Sequence, residues 1–135
     1  MLLFCMICAL AGSARADEVA VKWQPTVKAA VNLAQREERP LLVYVTSVHC
    51  TYCRKLERTT WADPKVMRAL DADFVSIKLD AAKHQKFVDR MGISAYPTTL
   101  LLTPDGDLIR RIEGYVPPQD MLKHLQISKP ASPTK

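Results

Sequence analysis

The sequence predicts an α/β domain with a central mixed sheet flanked by helices, and three observations support this prediction. Residues 41–45 form an apolar run without a polar interruption, as expected for a central strand covered on both faces. Segments with apolar residues at helical spacing alternate along the chain with segments of strand character. The turn sequence Thr103-Pro104-Asp105-Gly106 separates two short strand-like segments, which indicates a hairpin.

The first predicted helix precedes the apolar strand. Pro25 can occupy the first helical turn, and Arg39-Pro40 ends the helix. Between them, apolar residues recur at helical spacing, at Val27, Ala30, Val31 and Ala34. The strand over residues 41–45 follows directly.

Two further helices are predicted after this strand. Residues 46–49, of which three are polar, form a break, and residues 52–58 have helical character. Asp63-Pro64 supplies a capping side chain and a proline for the first turn of the next helix. The remaining predicted elements are a strand, a helix ended by Gly92, the two hairpin strands and a last helix, over residues 74–79, 84–91, 98–103, 108–112 and from 117 onwards.

The two ends of the chain differ in composition from this domain. Residues 2–10 are apolar and uncharged, and Ala14-Arg15-Ala16 precedes Asp17, which predicts a signal peptide over residues 1–16. No Lys or Arg precedes the apolar run, so a buried N-terminal helix is the alternative. Residues 128–135 contain two prolines and no large apolar side chain, which predicts a disordered tail. The domain itself is expected over residues 17–127.

Charge and cysteine content restrict the function further. The 135-residue chain has a formal net charge of +5, but its basic residues are spread along the sequence, so nucleic acid is not an expected partner. Removal of the signal peptide also removes Cys5 and Cys8 and leaves Cys50 and Cys53. These two cysteines can react only with each other or with a partner.

The spacing Cys50-Thr51-Tyr52-Cys53 suits thiol–disulfide exchange, which needs an accessible thiolate to attack and a second thiol to release the mixed disulfide. A helix that opens at the first cysteine places its sulfur near unpaired N–H groups. The second cysteine lies one turn further on. His49, Arg54 and Lys55 are close in sequence and could add to the stabilisation of a Cys50 thiolate.

A cysteine pair can also bind zinc, form a structural disulfide or attach haem. A structural zinc site needs four ligands, usually two such pairs, and the three histidines that could complete one, His49, His84 and His124, stand at no recognisable spacing. A permanent structural disulfide stays open as an alternative. Covalent haem attachment is excluded, because it needs a histidine after the second cysteine and Arg54 stands there. We therefore expect neither a metal nor an organic cofactor beyond the Cys50–Cys53 disulfide.

Several motifs resemble the thioredoxin superfamily, over residues 23–125. They are Val43-Tyr44-Val45 before the cysteine pair, Tyr96-Pro97-Thr98, Asp105-Gly106 and Gly114. Residues 53–57 and 61–66, with Leu70, are most similar to the C-terminal thioredoxin-like domain of the thiol–disulfide interchange protein DsbD and its stand-alone relatives. The resemblance implies a thioredoxin-like fold.

The resemblance also implies roles for individual residues. Cys50 would be the attacking cysteine and Cys53 the resolving one. Pro97 would be a cis-proline beside the active site, and Tyr96 would offer its backbone to an extended partner peptide. Glu57 matches an acidic residue that tunes the cysteines in the DsbD-like domain, and its position four residues after Cys53 places it on the same helix face. A solvated glutamate without a role is the alternative for Glu57.

The sequence departs from the thioredoxin pattern at two positions. Tyr44 stands six residues before Cys50, where thioredoxins often have a buried acid, so proton transfer would depend on Glu57, water or Tyr44. His49 replaces the common tryptophan before the first cysteine. A charged His49 would stabilise the thiolate and make the disulfide more oxidising, whereas an exposed histidine without effect is the alternative.

The sequence thus predicts an exported thiol–disulfide oxidoreductase, periplasmic or secreted and monomeric, that exchanges its dithiol with disulfide-containing exported proteins. A reductase is favoured, and by resemblance a membrane thiol-electron transporter would be its electron donor, because an oxidising compartment does not keep such a protein reduced. The alternatives are a redox-inert peptide-binding module and an oxidase or isomerase that uses the same cysteines.

Overall fold

The structure is a computed structural model that describes residues 20–126. The predicted signal peptide over residues 1–16 and the predicted tail over residues 128–135 lie outside the described residues. The described part contains helices α1 (Val27–Glu37), α2 (Thr51–Arg58), α3 (Pro64–Asp73), α4 (Gln85–Met91) and α5 (Pro118–Gln126). Its strands are β1 (Leu41–Thr46), β2 (Val75–Asp80), β3 (Thr98–Leu102) and β4 (Leu108–Glu113), and a 3-10 turn, Ala81–His84, precedes α4.

The strands form a mixed sheet, as the sequence predicted, and their order is β2-β1-β3-β4. β1 pairs in parallel with β2 and antiparallel with β3, and β3 and β4 form the antiparallel hairpin. Val45 of β1 lies opposite Thr98 at the start of β3, and Thr98 lies opposite Glu113 at the end of β4. The loops after β1, before β3 and after β4 therefore lie at the same end of the strands.

Helices cover both faces of the sheet, and the alternation of side chains along each strand divides the core into two layers. On one face, Val43 and Leu100 pack with residues of α1 and α4. On the other face, Leu42 and Leu101 pack with residues of α2, α3 and α5. Because β1 is buried at all six positions, its uninterrupted apolar run is explained by contacts on both sides.

Local capping explains where two of the helices begin. Asp63 caps α3 by accepting hydrogen bonds from the backbone N–H groups of Lys65 and Val66 at 2.9 and 3.0 Å, as the sequence predicted. For α1 the cap is Thr26, whose hydroxyl accepts from Ala29 N at 3.0 Å, so Pro25 lies before the helix instead of in its first turn.

Three aromatic side chains lie together in the core layer that contacts α2. The rings of Trp23, Tyr44 and Trp61 are mutually in contact, with centroids 5.6 to 5.8 Å apart. Trp23 also forms a parallel bridge with Ser76 of β2, an extension of the sheet that the sequence did not predict. Within residues 20–126, none of the helices has the length and apolar character that crossing a bilayer requires.

Candidate active site

The cysteine pair lies at the start of α2, directly beyond the end of β1. In the short loop between β1 and Cys50, His49 adopts a left-handed conformation with φ of 62°, which turns the chain from the strand into the helix. Cys50 is the N-cap of α2, and its Sγ accepts a hydrogen bond from Cys53 N at 3.1 Å. The site is therefore built from a buried strand, a tight turn and a helix N-terminus.

Cys50 and Cys53 form a disulfide with a Cα–Cα distance of 5.2 Å. Cys50 is partly exposed, whereas Cys53 is fully buried, with 0% of its surface accessible. This is the order of exposure that an attacking and a resolving cysteine require, because only the first sulfur has to reach a partner.

Tyr44 lies in the core beneath α2, also with 0% exposure. Its hydroxyl is 3.4 Å from both the Cys53 carbonyl oxygen and Glu57 Oε1, which is long for a hydrogen bond donated by a hydroxyl. Burial raises the pKa of Tyr44 to about 12, and the charge of Glu57 adds to this increase. The phenol therefore stays protonated near neutral pH, where it is a hydrogen-bond donor and does not act as a base.

Glu57 is paired with two cations at the bottom of the site. Its Oε1 lies 2.5 Å from Lys78 Nζ on β2, and its Oε2 lies 3.2 Å from Arg54 Nη1. The Arg54 side chain also donates a hydrogen bond to Thr46 Oγ1 at 2.9 Å. Glu57 is thus ion-paired and only 22% exposed, which differs from the freely solvated side chain considered as an alternative. Its effect on the cysteines remains a prediction.

His49 is exposed and lies at the mouth of an open cleft of about 680 Å³ beside Cys50. The lining of this cleft is mostly polar or charged, and comprises Thr46, Ser47, Val48, His49, Cys50, Thr51, Arg54, Lys78 and Asp80. The cleft gives a partner sulfur access to Cys50 from the side of the turn.

Tyr96 and Pro97 lie at the same end of the strands as Cys50, because Thr98 at the start of β3 is paired with Val45 near the end of β1. The Tyr96-Pro97 peptide bond is cis, and the Pro97 carbonyl oxygen accepts a hydrogen bond from Gly114 N at 2.8 Å. Pro97 is buried, and the Tyr96 side chain packs against the core layer of α1 and α4. The Tyr96 side chain therefore faces away from α2.

Two cationic residues, Lys78 and Arg54, pair with Glu57, which the sequence did not predict. Lys78 is the one exposed position between buried neighbours in β2 and lies opposite Tyr44 in the parallel register. Arg54 follows Cys53 directly. The Lys78–Glu57 pair depends on the pairing of β1 with β2, which the sequence alone does not determine. Arg54 and Glu57 are three residues apart on α2. Among residues 20–126, no three His, Cys, Asp or Glu side chains are grouped as a metal site would require.

A disulfide between an N-capping cysteine and a buried cysteine three residues later, on a mixed four-stranded sheet flanked by helices, is the arrangement of the class of thioredoxin-fold proteins. The chain belongs to the thioredoxin-like domain family, whose model matches residues 27–128. The resemblance found in the sequence is thereby confirmed.

Curated relatives and solved structures agree with this assignment. The chain is 30% identical over 108 residues to the thiol:disulfide interchange protein DsbD of Yersinia enterocolitica, a match that covers 76% of this chain and 18% of that protein. It is 29% identical over 112 residues to human spermatogenesis-associated protein 20, with 76% of this chain and 14% of that protein covered. The chain thus spans less than a fifth of the curated relatives it matches.

Among solved structures, a thioredoxin from Thermus thermophilus superposes with a TM-score of 0.72 at 30% identity, over 79% of this chain and 85% of that one. The oxidised C-terminal domain of DsbD from Neisseria meningitidis superposes with a TM-score of 0.66 at 20% identity, over 76% and 92% of the two chains. Family, fold and the Cys50–Cys53 disulfide together support thiol–disulfide redox chemistry in general terms.

Proposed function

We propose that this protein is an exported thiol–disulfide oxidoreductase that reduces disulfides in other exported proteins. The observation that carries the proposal is the partly exposed Cys50 at the N-terminus of α2, joined in a disulfide to the fully buried Cys53. A disulfide of this kind can be opened and closed from outside through one sulfur only, which is the requirement for controlled exchange.

In the first step, the Cys50 thiolate attacks one sulfur of the partner disulfide. A mixed disulfide forms, and the second partner sulfur leaves as a thiolate that takes up a proton from solvent. The backbone N–H of Cys53, 3.1 Å from Cys50 Sγ, and the positive end of the α2 dipole stabilise the negative charge on Cys50 before the attack.

In the second step, Cys53 loses its proton and attacks Cys50 Sγ. The partner's remaining sulfur leaves as a thiolate, so the partner gains two electrons and the Cys50–Cys53 disulfide is formed. Tyr44 cannot accept this proton, because its raised pKa keeps the phenol protonated near neutral pH. We therefore assign proton transfer to Glu57 or to water, with the Tyr44 hydroxyl orienting Glu57.

Export and partners are part of the proposal. Cleavage near Ala16 would leave Cys50 and Cys53 as the cysteines of a mature periplasmic or secreted protein. In that compartment the pair needs an electron donor. The match to DsbD proteins supports a membrane thiol-electron transporter as the class of donor, and disulfide-containing exported proteins as the clients. Pro97 and the backbone of Tyr96 would hold the extended client chain, and we propose a monomer as the working form.

The decisive measurement is the reduction potential of the Cys50–Cys53 pair in the mature protein, equilibrated with glutathione or dithiothreitol. A value near that of thioredoxin, about −270 mV, is expected for a reductase. A value near −120 mV would instead indicate an oxidant of exported proteins. A pair that equilibrates with neither buffer would contradict the redox function and favour the peptide-binding module.

Trapping identifies the clients and tests the two cysteine roles together. Cys53→Ser is expected to accumulate mixed disulfides through Cys50, because the resolving thiol is absent. Cys50→Ser, the matched control, should trap nothing, since Cys53 is fully buried. Equal trapping by both variants would contradict the assignment of Cys50 as the attacking residue.

A further inference from the structure

The segment of residues 114–117 lies between the cis-proline loop and the helix that carries the cysteines. Strand pairing of β4 ends at Glu113, opposite Thr98, so residues beyond it are held by other contacts. The first of these is the hydrogen bond from Gly114 N to the Pro97 carbonyl oxygen at 2.8 Å. This bond makes the segment and the cis-proline loop one unit.

Side chains on the other side attach the same segment to α2. Lys55 Nζ lies 4.3 Å from the centroid of the Tyr115 ring, a cation–π geometry. The Tyr115 hydroxyl is 3.1 Å from Thr59 Oγ1. Beyond α2, Thr60 Oγ1 donates a hydrogen bond to the carbonyl oxygen of Val116 at 2.5 Å. These contacts join residues 56 to 60 positions apart in sequence, and two of the three involve Tyr115.

Tyr115 is partly buried, whereas Lys55 and Thr59 are exposed on α2. The ring packs at the margin of the core layer beneath α2, so its cation and its hydroxyl partner are additions to packing. Weak exposed contacts of this type contribute little to stability in general. They do restrict where the 114–117 segment, and with it Pro97, stands relative to α2.

We propose that Tyr115 is a positioning residue for protein partners, which sets the separation between α2 and the cis-proline loop. The inference rests on the proposed function, since it concerns the client chain on either side of the disulfide that Cys50 attacks. A polypeptide partner must fit between the two elements, whereas a small disulfide needs access to Cys50 alone. Tyr115 and Lys55 therefore act on protein disulfides selectively.

The test compares a protein disulfide with a small, uncharged one. The double variant Tyr115→Phe/Lys55→Met removes the hydroxyl contact and the cation but retains the aromatic volume, so that folding is preserved. Insulin reduction is followed with dithiothreitol as the donor, and the rate of reaction of the reduced protein with bis(2-hydroxyethyl) disulfide is measured separately. The matched control for the lost charge is Lys28→Met, an exposed lysine on α1.

The double variant is expected to have a KM for insulin raised about fivefold, the size expected from losing one exposed cation–π contact and one hydrogen bond. The Lys55 ammonium lies over the Tyr115 ring and Lys55 is outside the lining of the cleft beside Cys50. The kcat of the double variant and its rate with the small disulfide should therefore change by less than about twofold. The single variant Lys55→Arg keeps both the cation and Tyr115, and its KM for insulin should equal that of wild type.

Three results would overturn the inference. An unchanged KM for insulin would show that the contacts do not position the partner. An equal loss of rate with both disulfides would show that Tyr115 acts on the cysteines or on folding. If wild-type protein reduces neither disulfide, the proposed function itself fails, and this outcome is distinct because the variants are not needed to see it.

Discussion

At the scale of single residues, the site differs from that of a thioredoxin with a buried acid. Tyr44 occupies the position of that acid, and the carboxylate near the cysteines belongs to Glu57 on α2. The carboxylate of Glu57 is shared by Lys78 and Arg54, so one negative charge faces two positive charges near the cysteines. Changing any one of the three groups should therefore alter the stability of the thiolate.

Glu57→Gln is expected to make the disulfide more oxidising by about 10–30 mV. The neutral amide leaves Lys78 and Arg54 uncompensated, which stabilises the thiolate of the reduced form, and 30 mV corresponds to about 1.4 kcal/mol for this two-electron couple. Glu37→Gln is the matched control, because Glu37 at the end of α1 is also ion-paired, with Arg39, but does not belong to the site. A shift to a more reducing potential in Glu57→Gln would contradict this account.

Tyr44→Phe is expected to remove part of the alkaline destabilisation of the fold. In the unfolded chain a tyrosine ionises near pH 10, whereas burial holds the pKa of Tyr44 at about 12 in the folded protein. Stability from this group is thus fully present below pH 10 and is lost as pH rises towards 12. Between pH 9 and pH 11, wild type should lose on the order of 1 kcal/mol more unfolding free energy than Tyr44→Phe.

Urea unfolding of the oxidised protein at both pH values measures this difference. Tyr52→Phe serves as the control, because Tyr52 is 60% exposed. Parallel pH profiles of wild type and Tyr44→Phe would show that the phenol is not responsible.

At the scale of elements, the caps and turns are the positions where the sequence dictates structure most directly. Asp63→Ala should lower the unfolding free energy by about 1 kcal/mol, because two backbone N–H groups of α3 lose their acceptor. Asp73→Ala is the control at the other end of the same helix, where a carboxylate meets the negative end of the dipole and its removal should be neutral or slightly stabilising. Equal losses in urea unfolding would exclude a capping effect.

The elements themselves were predictable because their apolar periodicity is strong. The strand over residues 41–45, the Asp63-Pro64 helix start and the hairpin turn all match the structure within a residue or two. The helix expected over residues 84–91 is preceded by a 3-10 turn that Asp80 caps through Ala82 N. Local pattern determined these features.

The sequence did not predict contacts between distant elements. The Lys78–Glu57 pair depends on the register that sets Tyr44 opposite Lys78, and the Tyr115 contacts join α2 to residues 56 positions away. The left-handed conformation of His49 could not be predicted from its residue type, because glycine is the residue that favours this conformation. Such features follow from the assembled sheet.

At the scale of the whole molecule, the two core layers share one sheet and should unfold together. Leu100 and Leu101 are neighbours on β3, both with 0% exposure, and they belong to opposite layers. Replacing either by alanine should cost about 2–5 kcal/mol, and each variant should still unfold in a single transition. Val27→Ala, at a 44% exposed position, is the control and should change stability by about 0.5 kcal/mol or less.

Tryptophan fluorescence reports on the layer beneath α2, where Trp23 and Trp61 lie, and far-ultraviolet circular dichroism reports on all elements. Coincident transitions by the two probes are expected for both variants. Separate midpoints in Leu100→Ala would show that the layer of α1 and α4 unfolds independently.

The disulfide closes a ring of only four residues, since its cysteines are three positions apart. In the chain-entropy model, so short a ring restricts the unfolded ensemble by about 2 kcal/mol, against the 5–15 kcal/mol that typically separates folded from unfolded domains. Opening the ring therefore leaves most of that free energy in place. The reduced protein is expected to stay folded, so that a change of redox state would need no refolding.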